Sequence, residues 1–306
     1  MLRILTSFLF LSLSLSCLIG LFTPACSPRE EDPLHRQEWG ECTQNIECGQ
    51  NRICRNRKCV EVPVSVSRAS ITPPEGMVLV PAGEFVMGAN RGTLLEKPQV
   101  QSRTTDFFLD IREVTIAEYE ICRLAGHCPA PACDPSAPPD HPVACVTQPA
   151  ASAYCTFVRK RLPTEEEWEK AARGTDVRTY PWGEIPPTCE QAVFAGCGTG
   201  NTTVPVGTRP AGAGPFGTLD QAGNVWEWTA TGRDPWDKDG DPRRLRAGHA
   251  RSAGPGNTKP AGRPHFVIRG GSFLDPPLSL RVTHRLIMAQ DFASRAIGFR
   301  CAADIF

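Results

Sequence analysis

The sequence predicts a loop-rich fold that mixes short strands with capped helices, and three observations carry that prediction. Glycine and proline number 27 and 29 in 306 residues, a content that disfavours long helices and favours turns. Two segments open with a threonine followed three residues later by glutamate, the mark of a helix N-terminus. Two of the 14 cysteines, Cys17 and Cys26, lie in the first 26 residues, and the 12 that remain from Cys42 onward are an even number, as bridge-forming cysteines in an exported chain should be. With 41% hydrophobic residues, a chain of this length can bury one substantial core and carry a small extra module.

Residues 1–25 read as a signal peptide. Arg3 supplies a thin positive start, Ile4 to Phe22 is apolar and serine-rich, and "LFTPACSP" offers a small-residue cleavage pattern before Cys26. Cys26 is the candidate lipidated residue of a bacterial lipoprotein, and Cys17 is a second candidate. A soluble secreted protein with two inert cysteines is the plainer alternative. Retention as a membrane span is disfavoured by Ser12, Ser14, Ser16 and Gly20.

Residues 36–61 form the next unit. Cys42, Cys48, Cys54 and Cys59 follow a C-x5-C-x5-C-x4-C spacing with hydrophilic fill, too poor in apolar side chains to fold without bridges. The spacing lacks the C-x2-C pairs of a structural zinc site. Residues 62–75, rich in proline, serine and valine, read as a linker, and the main domain is expected over 76–306.

Within that domain, Met77 to Val80 and Phe85 to Met87 are expected as paired strands around Pro81–Gly83. Helices are expected after Thr115 and Thr164, ending at Gly126 and Gly174, and another over Pro149 to Arg159. In the Thr164 helix, Glu166 with Lys170 and Glu169 with Arg173 are favourable i, i+4 pairs, while Trp168 and Ala172 share an inward face. Gly232 to Pro264, without periodicity, reads as a long surface insertion, and its "DPWDKDGD" as a solvated acidic turn.

Lysine plus arginine equals aspartate plus glutamate, 33 of each. No global field then favours nucleic acid or an acidic substrate, and no nucleic-acid partner is expected.

Seven separated motifs, "GMVLVPAGEFVMG", "REVTIAEYEIC", "AYCTFVRKRLPTEEEWEKAARG", "YPWGE", "DQAGNVWEWT", "RGGSF" and "IGFRCAAD", give a resemblance to the formylglycine-generating enzyme family, the sulfatase-modifying factors. It covers about Gly76 to Ile305. The resemblance implies an α+β fold, C-type-lectin-like and low in regular secondary structure. It also implies an activity, the oxygen-dependent oxidation of a sulfatase cysteine to formylglycine at copper(I) held by two thiolates. Those thiolates belong three and eight positions after the serine of the GGS motif. Ser272 sets the register, and the two positions hold Asp275 and Leu280. Copper(I) is a soft ion; aspartate is a hard ligand and leucine none at all, so copper is not expected.

By the same resemblance, Trp226 and Ser272 line the pocket or merely pack, and Asp220, Gly223, Val225 and Glu227 hold a structural Ca²⁺. The second calcium site of the family is not expected, because Val193 stands where it uses asparagine. The resemblance pairs Cys155 with Cys301. A second family bridge would need cysteines at Ala172 and Arg285, and both are absent together. Cys189 with Cys197, and two bridges among Cys122, Cys128, Cys133 and Cys145 in an open arrangement, complete the simplest scheme. The fold also has iron-dependent sulfoxide synthase relatives, for which His265, His284 and Asp275 are a conceivable triad here.

Two functions follow. One is a non-catalytic envelope protein, lipid-anchored and periplasmic or surface-exposed, that binds a peptide, glycan or envelope protein. The other is an oxidoreductase of the same fold with an altered metal site, acting on a peptide or a secondary metabolite.

Overall fold

In the computed structural model the described residues are 39–41, 52–55, 58–61, 71–133, 137–197, 200–233 and 263–305. The expected signal peptide, Cys26, and the bulk of the acidic insertion lie outside them. The chain divides into two compact units, Met1–Ser67 and Arg68–Phe306.

In the first unit, β1 (Trp39–Glu41), β2 (Arg52–Arg55) and β3 (Lys58–Glu61) form an antiparallel sheet in the order β1-β3-β2. Cys54 and Cys59 stand opposite each other in the β2–β3 register; Cys42 and Cys48 lie outside the described residues.

The second unit begins with β4 (Met77–Val80) and β5 (Gly83–Met87), which do not pair with each other as the sequence suggests. β4 pairs with β7 (Phe107–Asp110), and β5 pairs with β6 (Val100–Thr104), both antiparallel. The chain runs out along β4 and β5 and back along β6 and β7, so the two ladders are arms of one long ribbon broken at 81–82 and 105–106. Distant groups hold the break. The Ala82 N–H donates to Asp106 Oδ1 at 2.6 Å, and Lys170 Nζ donates to the carbonyls of Pro81 and Gly83 at 2.6 and 3.0 Å. The turn polar groups therefore have partners without closing a hairpin.

The three helices match their local signals. α1 (Ile116–Leu124) starts at Thr115, whose N–H donates to Glu118 Oε2 at 2.8 Å while the Glu118 N–H donates back to Thr115 Oγ1 at 3.2 Å. α3 (Glu165–Arg173) repeats the box with Thr164 and Glu167 and stops at Gly174, where φ is 69°. α2 (Gln148–Phe157) is capped by Thr147, whose hydroxyl accepts from the Ala150 N–H at 3.3 Å.

Four further strands, β8 (Trp226–Gly232), β9 (His265–Arg269), β10 (Arg285–Ala289) and β11 (Ile297–Gly298), make a sheet in the order β10-β9-β8-β11, with only β11 parallel to its neighbour. β12 (Ala302–Asp304) returns to pair with β7. The main core lies between α1, α2 and β8. There Tyr119 stacks on Tyr154 at 5.8 Å and Phe299 meets Tyr154 edge-on at 5.4 Å, beside the buried Trp226 and Trp228.

Four disulfides tie this unit: Cys122–Cys128, Cys133–Cys145, Cys155–Cys301 and Cys189–Cys197. The arrangement left open among the first four cysteines is thus two local loops. Cys155–Cys301 joins α2 to the end of the chain across 146 residues.

Candidate functional site

The candidate wall begins where β9 ends. Gly270 and Gly271, at φ 99° and 76°, turn the chain sharply, a conformation in which L side chains are strained. At Gly271 a Cβ would also stand 3.0 Å from the Ser279 carbonyl. This turn delivers Ser272 into the interior, fully buried, and leads through Asp275 to a single 3₁₀ turn, Pro277–Leu280.

The Asp275 carboxylate is engaged by its own surroundings. Trp226 Nε1 donates to Asp275 Oδ2 at 2.9 Å, and the Ser272 hydroxyl donates to the same oxygen. The two expected pocket residues are thus brought together, and both donate to Asp275. The His284 ring packs against Trp226 at 5.7 Å.

Leu280 is fully buried at 0% exposure in an apolar cluster with Tyr180, Ala192, Phe194 and Ala222. The position that the resemblance expects to hold the second thiolate is thus part of the core. His265 does not join His284 and Asp275. It opens β9 opposite Ala289, whereas Arg285, next to His284, pairs with Arg269, four strand residues or about 13 Å further along. Among the described residues no three His, Cys, Asp or Glu side chains form a group able to hold a metal.

The expected calcium ligands have a different employment. Asp220 and Gly223 adopt φ of 57° and 86° in the loop before β8, and a Cβ at Gly223 would stand 2.2 Å from the Val193 carbonyl. Both Glu227 oxygens are taken. Oε2 accepts from Trp168 Nε1 and Arg300 Nε, each at 2.7 Å, and Oε1 accepts from Arg300 Nη2 at 2.7 Å. Asp220 Oδ2 accepts from the Gly207 N–H. In this arrangement Glu227 is the partner of the Arg300 guanidinium.

Beside this pair lies Glu113, buried, with neither carboxylate oxygen hydrogen-bonded. Burial, reinforced by repulsion from Asp220, raises its pKa well above 4.5. A raised carboxyl value means that the folded state keeps a proton that the unfolded chain releases. This contribution is fully present below the unfolded value and is lost as the pH rises toward the folded one. Glu113→Gln is accordingly expected to hold its stability where the parent loses it as the pH rises above the ordinary carboxylate range. Urea unfolding from that range upward in chelator checks this, and parallel curves for the two proteins would refute it.

Sequence reasoning missed two buried charge clusters. Glu96, 1% exposed, receives the Arg281 guanidinium at 2.7 Å, the Thr283 hydroxyl at 2.6 Å and the Thr93 N–H at 2.9 Å. Burial pushes its carboxyl up, but His284, Arg281, Thr283 and Thr93 outweigh burial and hold it far below the usual carboxylate range. Its local signal was the Thr93-x-x-Glu96 spacing, the same helix-start mark seen at Thr115. The second cluster joins Glu165 and Glu169 of α3 to Arg173, Arg269 and Arg285. The sequence reads Glu169 and Arg173 as an i, i+4 pair, which they are, with side chains only 0% and 5% exposed.

Fold and motifs together define a class: a C-type-lectin-like α+β domain of the sulfatase-modifying-factor type. The chain belongs to the sulfatase-modifying factor enzyme 1-like domain family, which matches residues 63–305.

It is 37% identical to the formylglycine-generating enzyme of Mycobacterium tuberculosis over 180 residues, 54% of this chain and 58% of that protein. It is 44% identical to the hercynine oxygenase of Mycolicibacterium thermoresistibile over 103 residues, 32% of this chain and 23% of that one. The chain thus spans little more than half the length of the first relative and about a quarter of the second. Among solved structures, PvdO from Pseudomonas aeruginosa is similar at a TM-score of 0.59 and 26% identity, over 75% of this chain and 94% of that one.

Proposed function

We propose that the protein is an exported envelope protein, anchored by a lipid on Cys26, that uses the sulfatase-modifying-factor scaffold to bind a peptide, glycan or partner protein without copper chemistry. One observation carries this reading: Leu280, at 0% exposure, fills the second thiolate position inside an apolar cluster. A hydrocarbon has no lone pair for copper(I), and the neighbouring Asp275 is both a hard ligand and already bonded to Trp226 and Ser272. Fold alone does not restore the chemistry.

The test uses purified mature protein. Anaerobic copper(I) titration against a chelator is expected to leave no retained copper, and a cysteine-bearing sulfatase peptide is expected to emerge unoxidised in air. Aldehyde on that peptide would end the reading. The likeness to hercynine oxygenase favours a second one, an oxidoreductase with a different metal site; stoichiometric iron together with oxygen uptake would replace the first reading by it. The anchor is tested separately. The mature chain should partition into the detergent phase and Cys26→Ser should not; equal partitioning would exclude lipidation there.

A further inference from the structure

We propose that a cavity of about 270 Å³, lined by Arg91, Arg173 and Arg281, binds a small oxyanion: the carboxylate or phosphate end of a ligand. The cavity lies among the 89–92 loop, the last turn of α3 and the 281–283 segment, with Thr179 and Thr283 also on its wall. Its volume falls below the roughly 300 Å³ at which drug-sized pockets begin, which limits the occupant to a small group.

Three observations converge on an anion. The buried network behind the wall is cation-rich, since among the described residues Arg173, Arg269 and Arg285 pair with the two carboxylates Glu165 and Glu169. Burial and then repulsion from Arg285 push Arg269 down to about 10, as expected where positive charge lacks full compensation. Arg173, which belongs to both network and wall, has a buried Nε with no acceptor. Arg91 is exposed and has no ion pair among the described residues.

Arg281 already shares Glu96 with Thr283 and His284, so the wall is held in place before a ligand arrives. Guanidinium groups bind oxyanions through charge-assisted hydrogen bonds, and an anion here would offset the surplus charge behind it. Gly92, at φ 111°, lets its loop pack closely on Glu96, because a Cβ there would stand 2.7 Å from Glu96 Oε1.

This inference does not depend on the reading of the altered wall, because a binding protein and an oxidoreductase could each use such a subsite. The test is isothermal titration of the full mature chain with inorganic phosphate and with succinate at fixed ionic strength. At least one should saturate at one site, and whichever binds tighter identifies the preferred group. Arg91→Ala should weaken that binding by about tenfold and Arg91→Glu should abolish it, while Arg103→Ala, an equal loss of exposed charge, should leave it unchanged. No saturable binding of either anion, or equal weakening by the Arg91 and Arg103 substitutions, overturns the proposal. Arg91 is exposed, so its variants should fold, which their far-ultraviolet spectra verify.

Discussion

Arg300→Met is expected to lower the free energy of unfolding by about 3 to 5 kcal/mol, the cost of stranding a buried charge. Arg300 is fully buried, forks onto both oxygens of the equally buried Glu227, and donates its remaining N–H groups to the carbonyls of Asp110, Ile111 and Leu219. Methionine would fill the space and leave Glu227 beside Asp220 and Glu113 with no cation. Arg300→Lys should recover only part of the loss, because an ammonium cannot fork. Urea unfolding at neutral pH measures both. Arg263→Met is the control, since its ion pair with Asp291 leaves the arginine side chain 75% exposed and should cost under about 1 kcal/mol. If the Arg300 and Arg263 substitutions cost the same, Arg300 is not what makes the acidic cluster tolerable.

The second large effect is expected from the double substitution Cys155→Ala, Cys301→Ala. The bridge closes a loop across 146 residues, for which chain entropy gives about 5 kcal/mol as an upper bound. Both half-cystines are fully buried in the main core, so alanine also leaves unfilled space, and a loss of about 3 to 5 kcal/mol is expected. Cys189→Ala, Cys197→Ala spans only 8 residues and should cost clearly less. Thermal unfolding of the two double variants compares them; equal losses would argue against loop length as the source.

The helix starts at Thr115 and Thr164 were legible because a capping box is completed within four residues. Ladder pairing was not: β4 leaves β5 for β7, and the polar groups of the break are satisfied by Asp106 on the opposite arm and by Lys170, remote in sequence from both. The charges of α3 were legible as i, i+4 spacing, but spacing carries no information about burial. That burial makes the pair part of an arginine-rich network.

The candidate wall divides in the same way. Counting from Ser272 was enough to single out Asp275 and Leu280, and the chemistry of those side chains carries the expectation that copper is not held there. Counting could not say what the replacements do instead. Asp275 bonds across 49 residues to Trp226, and Glu96 bonds across 185 residues to Arg281.

The sequence by itself determined the family, the caps and the identity of the altered positions, because each is written in a short window or a fixed register. Only the tertiary structure decided that Glu227 faces Arg300, that Leu280 is core and that three arginines share one cavity. Desolvation and charge pairing depend on which distant segments meet, and that is a property of the folded chain.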